Sequence, residues 1–270
     1  MQVLKQHKTI ILVTVLLVVI LLVSFFIVEN GSKPSPSPTA SPSPMPTGVS
    51  PIPTGSASST PTTSPSQTPK PTPSPTQTLY PGEVTSYQGQ SIDSINSFIK
   101  ELNAHPDVSI GGVQNINQTT YRLTVNDLVN HSLSLTYEDI VNNFTLQNEV
   151  DTLDCVEGWS VTCLWQGVLI SDILKEAGVQ PGATTLIFTA SDGYTTALSI
   201  NYTIQNNLIL AYKMNNVTLP VSAGFPLMLI VPNQYGYKWI MWVTQIDVSN
   251  DSSYLGYWES QGYPNDATIK

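Results

Sequence analysis

The chain has 270 residues, with 10 Lys and Arg against 19 Asp and Glu and a formal net charge of −9. Such a balance argues against nucleic acid and against an anionic lipid surface as partners, since both repel it. The two cysteines, Cys155 and Cys163, are too few for a disulfide framework.

In chain order, the first feature is residues 9–28, TIILVTVLLVVILLVSFFIV, which carry no charge. At helical rise this stretch covers a hydrocarbon core of about 30 Å, so it predicts a transmembrane signal anchor. Glu29, Asn30 and Gly31 follow it, not a small-residue cleavage site. Lys5 and Lys8 precede the span and Lys33 follows it. The positive-inside bias then predicts residues 1–8 as a cytoplasmic tail. The rest would lie outside, in a single-pass protein of the cell membrane. Residues 29–78 are Pro, Ser and Thr with little else, and predict a disordered, extended linker.

Residues 79–270 predict one folded domain, long enough for a core of its own. In residues 91–102, SIDSINSFIKEL, apolar residues recur at helical spacing, and a helix is expected there. Residues 121–125 alternate like a strand. Residues 131–141 predict a strand end running into a helix, with Thr136 as N-cap and Asp139 at the capping-box position. A second helix is expected over 169–177, capped by Ser171 and closed by a left-handed Gly178. Two hairpins follow, 185–190 with 195–200 about Asp192-Gly193, and 207–214 with 217–219 about Asn215-Asn216. Residues 226–231 predict a buried strand and 238–248 a final long one. Short helices among many strands, without βαβ alternation, predict an α+β fold.

No phosphate-binding glycine loop is present. His105 and His131 are the only histidines after the N-terminal tail, too few for a histidine-rich zinc site. Cys155 is the most reactive atom left. A disulfide to Cys163 suits an exported domain and would stabilise it by about 2–3 kcal/mol over so short a loop. Two buried thiols suit the preference of cysteine for cores. A thiolate on a soft metal is the third reading.

The segments EVDTLDCVEGWS, WQGVLISDIL, PGATTLIF, SDGYTTALSI, AGFPLMLIVPNQYGYKWIMWVTQIDV and GYWESQGY follow one another in this order. In that order the chain resembles the molybdopterin-binding domain of the sulfite oxidase family, over about residues 119–263. The resemblance implies a strand-rich α+β domain with layered sheets. It implies molybdopterin with molybdenum as cofactor, oxygen-atom transfer on a small-molecule substrate, and a separate electron-transfer partner. By the same resemblance Cys155 is the molybdenum ligand and catalytic residue. Tyr235, Gly236 and Lys238 would belong to the loop around the pterin, with Lys238 as its phosphate cation. Gly224, Asp192, Gly193 and Tyr194 would line the cofactor site. The chain departs from the pattern at Ala223, where a His is frequent, and at Met228 and Met241, where basic residues are common. These departures leave an alternative, a cofactor-free surface or binding module that keeps the fold.

Overall fold

The computed structural model describes residues 78–269. The predicted tail, signal anchor and nearly all of the linker lie outside the described residues. Among these residues no helix is long and apolar enough to cross a membrane.

A two-residue hairpin, β1 (Ser86–Tyr87) and β2 (Gln90–Ser91), leads into helix α1 (Ile95–Ala104). This helix starts later than its apolar spacing suggests, because Ser94 is its N-cap and accepts from the backbone N–H of Ser97. Strands β3 (Leu123–Asp127) and β4 (Leu133–Leu135) precede helix α2 (Tyr137–Asn143). The expected capping box opens α2, with Thr136 and Asp139 each bonding the other's backbone. Helix α3 (Ile170–Ala177) has Leu169, not Ser171, at its N-cap, and no side chain caps it. Gly178 does close it, at φ 68°, and donates to the Leu174 carbonyl.

Both predicted hairpins form. Strands β7 (Thr185–Ala190) and β8 (Thr195–Ser199) pair antiparallel. After the short helix α4 (Ile200–Gln205), β9 (Ile209–Met214) pairs with β10 (Val217–Thr218). Asn215 and Asn216 both take positive φ at that turn, as a tight hairpin demands. Strand β11 (Met228–Ile230) is fully buried. The last strand, β12 (Val243–Ser249), is shorter than expected. Gly236–Lys238 forms a single 3-10 turn, and Trp242, at φ 54°, breaks the extended path before Val243.

Two strands lie where no strand was placed, β5 (Leu146–Asp154) and β6 (Ser160–Leu169). They form a long hairpin at the end of the first sheet, whose order is β10-β9-β6-β5, with β11 also on β9. The second sheet, β4-β3-β12-β7-β8, is mixed, since β12 runs parallel to β3 and antiparallel to β7. One continuous core joins the two, built on Trp165, Phe98, Phe188 and many aliphatic residues. The strand-rich α+β expectation therefore holds.

Candidate active site

The site is built on the tip of the β5–β6 hairpin. Its register pairs Asp154 with Ser160 and Asp151 with Cys163. One step further, the Cys155 N–H donates to the Trp159 carbonyl at 2.9 Å, and the Gly158 N–H returns to the Cys155 carbonyl at 3.0 Å. Directly opposed residues project to the same face, so the thiol of Cys155 and the indole of Trp159 emerge side by side. Gly158, at φ 88°, makes the left-handed turn that lets the chain reverse there.

The register also settles the relation of the two cysteines. Cys163 lies opposite Asp151, four residues down the strand from Cys155. Four residues of strand cover about 13 Å, far beyond the Cα separation of about 4.4–6.8 Å that a disulfide spans. Both thiols are free. Cys163 is a core residue at 0% exposure, and its Sγ faces the Asp93 carbonyl at 3.8 Å. Burial drives its thiol pKa far up. Cys155 is half-buried and lines an open cleft. Burial raises its pKa as well; the Glu157 carboxylate, 3.8 Å from Sγ, adds to this, and nearby backbone N–H groups oppose it.

The segment NQYGYKW packs against this tip. A Cβ on Gly236 would meet Leu153 Cδ2 at 3.0 Å, the Asp154 carbonyl oxygen at 3.5 Å and the Cys155 Cα at 3.7 Å, so the loop lies close against the hairpin tip there. Cys155, Gly236, Asp192 and Tyr194 all line the cleft, as the sequence resemblance implies. The Asp192 carboxylate is committed to backbone, accepting from Ile110 and Gly111 on Oδ2 and from Tyr194 on Oδ1. Tyr194 is buried and donates through its hydroxyl to the Tyr237 carbonyl at 2.6 Å, tying the two loops together. Tyr235, Gly193 and Gly224 are not among the lining residues, although Gly224 lies against Met228 and Met241, which are.

Lys238 is placed differently from the expectation. Its side chain is at 0% exposure and does not line the cleft. The ammonium meets Glu259 Oε1 at 2.5 Å, the Ala197 carbonyl at 3.0 Å and Asn265 Oδ1 at 3.0 Å. All three donors are used within the protein, so none is free for a phosphate. Lys238 corrects the sequence reading: it holds the loop to the segment that carries Glu259 and Asn265.

The cleft walls add residues that the sequence reading did not place there. Phe98 and Trp159 come from α1 and the hairpin, and Trp258 and Tyr263 from the segment beyond β12. Asp107, Glu157 and Asp192 supply carboxylates, and no Lys, Arg or His is among the lining residues. A mostly apolar cleft, rich in aromatic rings and with one half-exposed thiol and few polar groups, has the character of a site for a flat organic group.

The comparisons agree with this geometry. The model of the oxidoreductase molybdopterin binding domain matches residues 110–258. The chain is 35% identical to the Bacillus subtilis oxidoreductase YuiH over 146 residues, covering 54% of this chain and 73% of that one. It is 27% identical over 184 residues to the catalytic subunit MsrP of the protein-methionine-sulfoxide reductase of Gluconobacter oxydans, covering 62% of this chain and 59% of the relative. The sulfane dehydrogenase SoxCD of Paracoccus pantotrophus shares the fold at a TM-score of 0.50 and 24% identity, over 52% of this chain and 41% of that one. The match to the family model spans the hairpin tip, the cleft loops and the core between them, and the chain belongs to the oxidoreductase molybdopterin binding domain family, whose cofactor is molybdopterin.

Proposed function

We propose that the domain is a molybdenum-dependent oxidoreductase in which the Cys155 thiolate holds the metal at the cleft. The observation that carries this is the half-exposed thiol at the hairpin tip, facing an aromatic cleft and out of reach of Cys163. The residues present fit the metal end of the cofactor. A thiol is the donor a soft metal selects, and it binds as the thiolate, so loading releases its proton. The aromatic residues of the wall suit a flat ring, and the Gly236 loop packs directly on the hairpin tip that carries Cys155. When bound, molybdopterin supplies a metal that passes two electrons as an oxygen atom moves to or from a small substrate. The protein's own part is to fix Cys155 by the Trp159 carbonyl and to fix the opposing loop by Tyr194.

The electron partner is a separate protein in this reading, and the domain stands outside the cytoplasm on its linker, held to the membrane by residues 9–28. Support for this location is the sequence alone. The absence of a cation among the lining residues favours a second reading, in which the fold persists without the cofactor. One measurement separates the two. Full-length chain, made in a host that produces molybdopterin, should carry close to one molybdenum per chain, and Cys155→Ser should lose it. A wild type without molybdenum, or a serine variant that keeps all of it, would sink the enzyme reading.

A further inference from the structure

One wall of the cleft comes from outside the stretch that matches the family model. Helix α1 and the 3-10 turn after it, Pro106–Val108, supply Phe98, Leu102, Asp107 and Val108, whereas the match begins at residue 110. Phe98 and Leu102 are buried in the core and anchor this wall, and Asp107 is exposed at its end. The hairpin tip adds Glu157, also exposed, with Oε2 3.8 Å from the Cys155 Sγ. Asp192 is the third lining carboxylate. Neither Asp107 nor Glu157 enters an ion pair among the described residues. Lys238 is held by Glu259 and does not line the cleft, so nothing offsets this charge locally.

We infer that the cleft selects neutral or cationic substrates and excludes oxyanions, with Asp107 and Glu157 as the residues that set the preference. The inference rests on the reading of the cleft as the site of a molybdenum oxidoreductase, and names the charge class of its substrate. A cleft lined by one sign of charge focuses its field where a ligand must enter. One unit charge about 8 Å from another, in a setting between water and protein, changes the local concentration of an ion about fivefold. Salt of physiological strength weakens this without removing it, since the Debye length is itself about 8 Å. An oxyanion drawn in beside Cys155 would also lose water with no lining cation to replace it. A neutral dipole meets neither penalty, and a cation gains from the field. Asp107 and Glu157 act here through space, by their charge.

The Cys155 thiol reports the charge of the cleft directly. Full-length, metal-free chain is reacted at about pH 8, where histidine is neutral, with two methanethiosulfonates of like size, one ending in a sulfonate and one in a trimethylammonium group. Cys163 is sealed in the core and does not compete. At low salt the ratio of rates, cation over anion, should exceed that of a small free thiol at least about tenfold, and it should fall as salt is raised. Asp107→Asn with Glu157→Gln, both at exposed positions, should bring the ratio to within about threefold of the free thiol. A change in thiol pKa affects both reagents alike and cancels. A wild-type ratio equal to that of the free thiol, or a double variant that keeps the wild-type ratio, overturns the inference. In the loaded chain, KM for sulfite should be at least about tenfold lower in the double variant than in wild type; a wild type that oxidises sulfite with the same KM also overturns it. A wild type that takes up no molybdenum removes the enzyme reading and the substrate assignment with it, whereas a probe without preference overturns the assignment in a chain that carries molybdenum.

Discussion

Replacing Glu259 with glutamine keeps the shape of the side chain and removes its charge. In the wild type both Lys238 and Glu259 are at 0% exposure, with Nζ and Oε1 2.5 Å apart. Glu259 Oε1 also accepts from the Thr196 hydroxyl at 2.8 Å, while Oε2 has no partner. Taking away one member of such a pair leaves the other charge in low dielectric, at a cost of about 3–5 kcal/mol. For a domain of about 190 residues this lowers Tm by about 6–20 °C. The loss should depend on pH. Burial already lowers the Lys238 pKa, more than Glu259 raises it. Without Glu259 the pKa falls further, so the folded state sheds its proton earlier than the unfolded state does. Folding then gains stability as pH rises, and the deficit of the variant shrinks between pH 7 and pH 10. Urea denaturation at a series of pH values measures this. The double variant Lys238→Met with Glu259→Met should recover at least half of the loss, since no charge is then stranded. If Glu259→Gln stays within about 1 kcal/mol of wild type at pH 7, the ammonium is not committed to the interior, and Lys238 becomes available to an anion again.

Three further outcomes are expected. Glu149 and Asp151 have carboxyls raised to about 7 and about 6, in both cases chiefly by burial, with Asp151 adding to the shift of Glu149. Because the folded state holds these protons more tightly, stability is highest when both are protonated and falls as pH rises from about 4 to about 7. Glu149→Gln with Asp151→Asn should flatten that slope and gain about 1–2 kcal/mol at pH 8, after allowance for their partial contact with water; a double variant that melts as wild type does at both pH 5 and pH 8 would refute it. Gly167→Ala should destabilise by more than about 3 kcal/mol in chemical denaturation, because its Cβ would meet the Leu210 carbonyl oxygen at 2.0 Å and the Ala211 Cα at 2.6 Å, both backbone atoms. A thiol reagent should count one reactive cysteine in the native metal-free chain and two after unfolding; none after unfolding would mean a disulfide and a different hairpin.

Much of the fold was legible where a local cause sets the structure. The capping box needs only Thr136 and Asp139, three residues apart. The Asn215-Asn216 turn needs only residues that accept positive φ. The β5–β6 hairpin was not legible, although it carries the site. Residues 149, 151, 153 and 155 share one face with 161, 163 and 165, and that face meets the core through Trp165 and Cys163. Two of the inward positions are Glu149 and Asp151, so the alternation that marks a strand is broken where it matters. Lys238 was misread for a related reason. Its partner Glu259 lies 21 positions further on, and no local spacing reveals that the two meet. Cys155 and Gly236 were found through the order of segments.

Strand β5 ends its sheet, and so offers backbone groups along which a second chain could align. The two inward carboxyls work against such growth. A strand laid along β5 would seal Glu149 and Asp151 from the water that still reaches them. Above neutral pH that would trap two negative charges, at a cost in free energy that opposes pairing there. In acid both are neutral and that penalty disappears.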